Sequence, residues 1–491
     1  MRKLEELQFD NTYARLPPAF YSAVSPTSLP DPYLVSFNVA AAELIDLDPR
    51  ERERPEFVEY FSGQRTLPGA EPLAMLYAGH QFGSYVPQLG DGRAILLGEV
   101  KNARGLKKWD LHLKGAGPTA YSRGFDGRAV LRSTIREYLC GEAMHALGIP
   151  SSRALCIVGS DAPVRRETIE TAASLVRMSE SHVRFGTFEV FYYRGQHEHV
   201  RELADYAIAN HFPELGDRED KYQQFLLEVV RRTARLIAKW QAVGFAHGVM
   251  NTDNMSIFGL TLDYGPFGFL DDYHAGFICN HSDYSGRYAF DQQPAVGLWN
   301  LSRLAQTLVN LITVEDAMAA LEIYQPAFAA HYGELMRGKL GFATELEEDA
   351  ELLLSLLGSL EANGVDYTNF FRRLGNFKTS EEAQHDELRD MFVEPHAFDA
   401  WAARYRARLR REASNDDARR KSRMDQVNPK YVLRNYLAQN AIHAAIERRD
   451  YTEIERLLEL LRAPFTEQPG KERYAESPPD WGKRLAVSCS S

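Results

Sequence analysis

Two oxygen donors stand out in the stretch HGVMNTDNMSIFGLTLDYGPFGF, residues 247–269. Asn254 offers a neutral amide oxygen and Asp263 a charged carboxylate. With phosphate oxygens and water, this pair suits the octahedral, all-oxygen shell of magnesium or manganese. Asp253 adds a carboxylate one residue from the first of these ligands, where it could act as a general base. A turn-forming side chain or an outer partner of the metal are the competing readings of Asp253. Taken singly, Asn254 suits a turn and Asp263 a strand-end cap. The two together, in this order and after Phe245-Ala246-His247-Gly248, carry the signal.

Protein kinases place similar chemistry in H-R-D-x-x-x-x-N and D-F-G, where the first Asp takes the hydroxyl proton and the Asn and second Asp hold magnesium. With Asn254 as the metal ligand, His247 falls at the kinase His and Val249 at the catalytic Asp. Valine accepts no proton, so phosphoryl transfer by the usual base is not expected. The rest of the kinase order is present. Gly90-Asp91-Gly92-Arg93 reads as a Gly-rich turn between strands, whose backbone could approach phosphates, although a plain Asp-Gly hairpin has the same look. Lys114 ends a strand and Glu137 follows on a helix, as the kinase Lys–Glu pair requires. Arg177 and Arg184 flank MSESHV and could clamp a triphosphate, and Asp126-Gly127 could serve near a sugar or phosphate. These groups are extra to a kinase, and solvated surface charge is the other reading of them.

The elements that must position these residues follow from periodicity. Residues 1–70 are mixed and Pro-rich and read as an irregular lead-in. YVPQLGDGRAILLGEV reads as strand, turn and strand, KNARGLKK as a polar connection, and WDLHLKGAG as a third strand. Residues 130–147 have helical apolar spacing, stopped by Gly148 and Pro150. Residues 154–160 and 170–179 read as strands. Beyond residue 190 helices dominate, including 221–244 ending at Gly244, 295–312, 344–360 and 430–463. The charged run at 404–423 reads as a solvated connection and 464–491 as a tail. Strands first and helices after make an α+β fold with two lobes.

The composition bounds the function. With 491 residues, 44% of them hydrophobic, a packed protein is expected. A net charge of −11 argues against general binding to nucleic acid or membrane surfaces. No apolar run reaches the roughly 20 residues of a membrane span. The opening MRKLEELQFDNTYARLP has no apolar core of a signal peptide and carries acids, so a cytoplasmic protein is expected. Four cysteines make no disulfide framework: Cys140 and Cys156 sit in apolar contexts, while Cys279 lies beyond Asp263 and Cys489 in the terminal CSS. A tail thiol that reached a loop thiol would form a labile, regulatory disulfide.

At this point the sequence resembles the selenoprotein O (YdiU) family. The resemblance rests on YAGHQFGSYVPQLGDGRAILLGE, WDLHLKGAGPTAYSRGFDGRAVLRSTIREYL, SLVRMSESHVRFGTFE, GFAHGVMNTDNMSIFGLTLDYGPFGFLDDY and the terminal CSS. It implies a protein-kinase-like bilobal fold, with an N-terminal extension (1–75), a strand-rich N-lobe (76–190), a helical C-lobe (191–420) and a C-terminal extension (421–491). It implies a flipped ATP and transfer of AMP, rather than phosphate, to Ser, Thr or Tyr hydroxyls of proteins, with UTP as an alternative donor and magnesium or manganese as the metal. By the same resemblance, Lys114 and Glu137 form the ion pair, and Gly90, Gly92, Arg93, Asp126 and Gly127 contact the nucleotide. Arg177 and Arg184 bind phosphates, Asp253 is the base, Asn254 and Asp263 hold the metal, and Cys279 pairs with Cys489. A monomer is expected. An atypical phosphotransferase using Asp253, and a non-catalytic nucleotide-binding scaffold, remain as alternatives.

Overall fold

The computed structural model describes all residues except 104, 106, 413–415 and 488–491. Its strands are β1 (Gln8–Phe9), β2 (Tyr21–Ala23), β3 (Tyr33–Phe37), β4 (Leu73–Met75), β5 (Gly79–Gln81), β6 (Ser84–Val86), β7 (Ala94–Lys101), β8 (Lys108–Lys114), β9 (Ala129–Val130), β10 (Arg153–Arg165), β11 (Ile169–Ser179), β12 (Phe245–Ala246) and β13 (Gly268–Phe269). Nine of them form one sheet with the path β2-β4-β7-β8-β11-β10-β3, on which β1 joins β7 and β9 joins β11. The pairings are antiparallel, as short connections between successive strands allow.

The early helices are α1 (Val39–Glu43), α2 (Pro55–Phe61) and α3 (Leu131–Ala146). Then follow α4 (Phe185–Tyr193), α5 (His197–His211), α6 (Lys221–Val243), α7 (Gln293–Thr307), α8 (Val314–Glu322) and α9 (Tyr324–Leu340). The last group is α10 (Asp349–Asn363), α11 (Tyr367–Leu374), α12 (Asp386–Arg389), α13 (Pro395–Leu409), α14 (Asp417–Asp425), α15 (Asn435–Arg448), α16 (Thr452–Leu461) and α17 (Asp480–Lys483). A sheet-rich first part and a helical second part make the fold α+β. Among the described residues no helix is long and apolar enough to cross a membrane.

The sheet is covered on both faces. On one, Phe37, Phe57 and Phe61 from the chain around α1 and α2 pack on Ile95, Leu113, Val158 and Val176. On the other, Ile135 and Leu139 of α3 join Ile157 and Leu175 and continue into α6, α15 and α16 through Trp240, Ile442 and Leu457. A separate core of Leu356, Phe370, Trp401 and Tyr405 ties α10, α11 and α13 together. The helix α6 stops as its sequence predicts: Gly244 takes φ 76°, the left-handed turn that ends helices at little cost to glycine.

Four local expectations are corrected. The lead-in is not irregular, because β1, β2 and β3 enter the main sheet, with Phe37 opposite Cys156 and Ala23 opposite Leu73. The Gly90-Asp91 turn is not a hairpin between β6 and β7. Instead β6 pairs with β5 through Phe82 and Gly83, both at positive φ, as two-residue hairpins require. Residues 89–91 lie along the end of β4, where the Asp91 N–H donates to the Met75 carbonyl at 2.9 Å. The charged run at 404–423 is largely helical, and its Arg408 and Arg420 are buried against Asp349 and Asp417. The tail packs back, with Ser477 donating to Asp366 at 2.8 Å and Val487 bridging to Asn280.

Candidate active site

The strand register sets up the first charges. Lys114 stands opposite Leu175 and His112 opposite Arg177, so Lys114 and Arg177 are diagonal neighbours on one face of the β8–β11 pair. The helix α3 packs over that face and brings in Glu137. The Lys114 ammonium donates to Glu137 Oε2 at 2.6 Å. Arg177 donates to both oxygens of the same carboxylate, its Nη2 at 3.0 Å from Oε2. Against its desolvation, Arg177 and Lys114 hold the Glu137 carboxyl below its ordinary value. Burial pulls the Lys114 amine down to about 8, with Glu137 opposing.

Asp263 extends this chain of charges. It sits at φ 57°, an uncommon conformation for a residue with a side chain. Its Oδ1 pairs with Arg177 Nη1 and its Oδ2 with Arg184 Nη1, each at 2.6 Å. Burial would raise its pKa, but the two arginines hold it well below the usual carboxylate range. Arg184 Nη1 also donates to the Asp253 carbonyl at 2.6 Å, and its guanidinium lies 4.5 Å over the Tyr77 ring. Lys114, Arg177 and Arg184 thus surround two carboxylates, leaving an excess of positive charge. Arg93, at the start of β7, adds repulsion to Lys114 and Arg177.

Asp253 occupies a different setting, on a short 3₁₀ turn between α6 and β13. The strand β5 lies directly over it. A Cβ at Gly79 would come 2.6 Å from Asp253 Oδ1, so only glycine permits this approach. Gln81 Nε2 donates to Oδ2 at 3.2 Å. Oδ1 is buried and has no hydrogen-bond partner among the described residues. Burial pushes this carboxyl up to about 7, with Arg184 and Gln81 opposing. The turn is pinned by Thr252, whose hydroxyl accepts from the His80 N–H at 2.7 Å and donates to Glu189 at 2.8 Å. Asn254 Nδ2 donates to the Val249 carbonyl at 2.9 Å, which fixes the amide and leaves its oxygen as the donor atom for a ligand.

Other expected residues lie further out. Gly90 takes φ 76°, and a Cβ there would meet the Tyr121 ring at 2.5 Å. The Asp91 and Gly92 carbonyls accept from Thr119 and Ser122, so residues 115–127 fold over the Gly-rich turn. Gly127 closes that loop through its carbonyl and the Gly117 N–H, at 3.0 Å. Asp126 faces outward, pairing with Arg166 at 2.9 Å and with the Arg128 N–H at 2.9 Å; none of these bonds reaches the Asp263 cluster. Cys140 and Cys156 are core residues. Cys279 is buried, its thiol 3.5 Å from the Ala246 carbonyl, and the His281 N–H donates to the Val487 carbonyl at 3.0 Å. Cys489 lies outside the described residues. Sequence reasoning missed Tyr77, Gln81, Thr252 and Glu189. The first two sit in YAGHQ, where a glycine flanked by polar and aromatic side chains was the available signal.

Comparison with known proteins agrees with the resemblance. Residues 3–462 match the family model described as Protein adenylyltransferase SelO. A protein from Myxococcus xanthus named "Protein nucleotidyltransferase YdiU" is 62% identical over 491 residues, covering all of both chains. Proteins of the same name from Thiobacillus denitrificans and Thioalkalivibrio sulfidiphilus are 58% and 59% identical, again over the whole of each chain. The chain belongs to the SelO family of protein adenylyltransferases.

Proposed function

We propose that this protein transfers AMP from ATP to Ser, Thr or Tyr hydroxyls of other proteins and releases pyrophosphate. ATP lies in a kinase-like cleft with its α-phosphorus, rather than its γ-phosphorus, turned toward Asp253. The acceptor hydroxyl gives its proton to the Asp253 carboxylate, and its oxygen attacks the α-phosphorus. The bond to the oxygen bridging the α- and β-phosphorus breaks, and that oxygen leaves with pyrophosphate. A base near neutral pKa, buried and short of one hydrogen bond, suits this proton transfer. With the reacting phosphorus at Asp253, the valine at 249 is no handicap.

The observation that carries this reading is the bridge Arg177–Asp263–Arg184. It concentrates two guanidinium groups, absent from the kinase set, where a departing pyrophosphate needs neutralising. Asn254 and Asp263 fit a magnesium or manganese ion: one presents a free amide oxygen, the other a carboxylate held ionised. Such an ion supplies charge neutralisation at the phosphates. Asn254 and Asp263 would hold that ion, and Arg177 and Arg184, now paired with Asp263, would then be available to phosphate oxygens. Lys114, oriented by Glu137, holds a phosphate; Gly90, Gly92, Arg93, Asp126 and Gly127 border the nucleotide. UTP is a second donor to test. The reading has a monomer working in the cytoplasm, without nucleic acid or membrane, and a redox-sensitive Cys279–Cys489 disulfide. A mobility shift on non-reducing gels that Cys489→Ser removes tests that disulfide.

ATP labelled at the α- or γ-phosphate tests the main proposal. Protein that retains only the α label supports it. Retention of the γ label makes the protein a phosphotransferase, and retention of neither makes it a nucleotide-binding scaffold.

A further inference from the structure

A cavity of about 900 Å³ opens between α6, α9 and the C-terminal end of α3, and none of the residues of the candidate active site lines it. Its apolar wall is made by Leu147, Ile149, Val243, Leu335, Phe342 and Phe465. Four cations, Arg235, Lys239, Arg337 and Lys339, line the same space. Arg337 pairs with Glu345 at 3.1 Å. The other three have no carboxylate within ion-pair distance among the described residues. Arg235 Nε donates to His331 Nε2 at 2.9 Å, and the Lys239 ammonium donates to the Gly148 carbonyl at 2.6 Å.

Lys339 is the least expected of them. It is only 4% exposed, and its nitrogen lies 4.4 Å from the Phe371 ring centre and 5.3 Å from that of Tyr367. Aromatic faces attract an ammonium but do not replace the water it loses. Burial accordingly pulls this amine down to about 7. In a chain with net charge −11, the lining sets Arg235, Lys239, Arg337 and, when protonated, Lys339 against only Glu334 and Glu345, a local balance of opposite sign to the whole. An anion entering the cavity supplies the missing partner.

We propose that this cavity is a second ligand site, specific for an amphipathic organic anion. Its apolar body rests on Ile149, Val243 and Phe342, and its phosphate or carboxylate head lies among Arg235, Lys239 and Lys339. Charge-assisted hydrogen bonds to the head hold it, and the apolar wall adds affinity in proportion to the area covered.

The full chain, saturated with a non-hydrolysable ATP analogue, is titrated with the fluorescent probe 8-anilinonaphthalene-1-sulfonate, then with dodecyl phosphate and dodecanoate as competitors. One saturable probe site is expected, displaced by at least one competitor; the tighter of the two assigns the head group. Lys339→Met and Lys239→Met should each weaken the probe about tenfold, the worth of one charge-assisted bond. Lys339→Met removes a buried ammonium and keeps the side-chain length, so its fold is expected to persist. Arg235→Gln, on an exposed side chain, repeats the test without touching the core. Absence of saturable binding, displacement by neither competitor, or full affinity in all three variants would overturn the proposal.

Discussion

Asp253 and Asp263 lie ten residues apart on one loop, yet their surroundings push them in opposite directions. Asp263 has an arginine on each oxygen and stays ionised throughout the physiological range. Asp253 has one oxygen on Gln81 and the other on nothing, under a strand that excludes water, and it titrates at about 7. The lesson is that burial alone does not decide how a carboxylate behaves. The charges placed around it do, and the same residue type can hold a cation permanently or exchange a proton.

The contrast is sharpest in activity. Asp263→Ala removes the ionised member and should cost about 10³-fold or more in AMP transfer, read with α-labelled ATP. Activity that survives would break the contrast at its stronger end. Asp253→Asn should lower kcat by about 10²-fold or more, the range of a lost general base. In the unsubstituted protein, kcat should rise with pH through about 7 as Asp253 loses its proton, and the Asn variant should lose that rise. Lys114→Met leaves both aspartates in place and should cost about 10- to 100-fold, mostly as a higher KM for ATP.

Stability should show the opposite sign. Asp253 ionises near its ordinary value of 3.8 when unfolded but at about 7 when folded. Between those values the folded state binds the extra proton, so this group's contribution to stability falls as pH rises. Above pH 7 the cost is at most about 4 kcal/mol, and relaxation of the site lowers it. Asp253→Asn should therefore raise Tm by a few degrees at pH 8 and much less at pH 5, the mark of a site whose function opposes its stability. The smallest effect is expected at Asp126, which faces outward on Arg166: Asp126→Ala should raise the KM for ATP only about two- to fivefold.

Much of this arrangement is legible in the chain. The helices α3 and α6 follow apolar spacing, and Gly244 marks the end of α6. The strands β10 and β11 read as apolar runs. Lys114, Glu137 and Asp263 could be named because their order along the chain matches that of a kinase, whereas Arg177 and Arg184, extra to that set, took their role from the family resemblance. What could not be read depends on distant partners. The strand β3 is short and follows a Pro-rich stretch, and only its pairing with β10, more than a hundred residues away, makes it a strand. The Asp-Gly step at 91–92 obeyed a local hairpin rule, but the true turn uses Phe82-Gly83, where Phe82 takes a conformation its type rarely adopts. The proton affinity of Asp253 depends on Gly79 and Gln81, brought from about 170 positions earlier. Arg408 and Arg420 looked solvated because charge runs usually are; Asp417 pairs with Arg420 from three residues away, but only the fold brings Asp349 to Arg408 and the Phe377 carbonyl to Arg420.

The path of the large sheet has a consequence for how the molecule is made. Its two outermost strands, β2 and β3, both come from the first thirty-seven residues, whereas the strands they pair with, β4 and β10, are translated later, β10 more than a hundred residues on. The strand β2 must therefore wait for β4, and β3 far longer for β10, before both borders of the sheet are sealed. Shortening the chain by those residues would bare two rows of unbonded amides at once, inviting neighbouring copies to add themselves edge to edge.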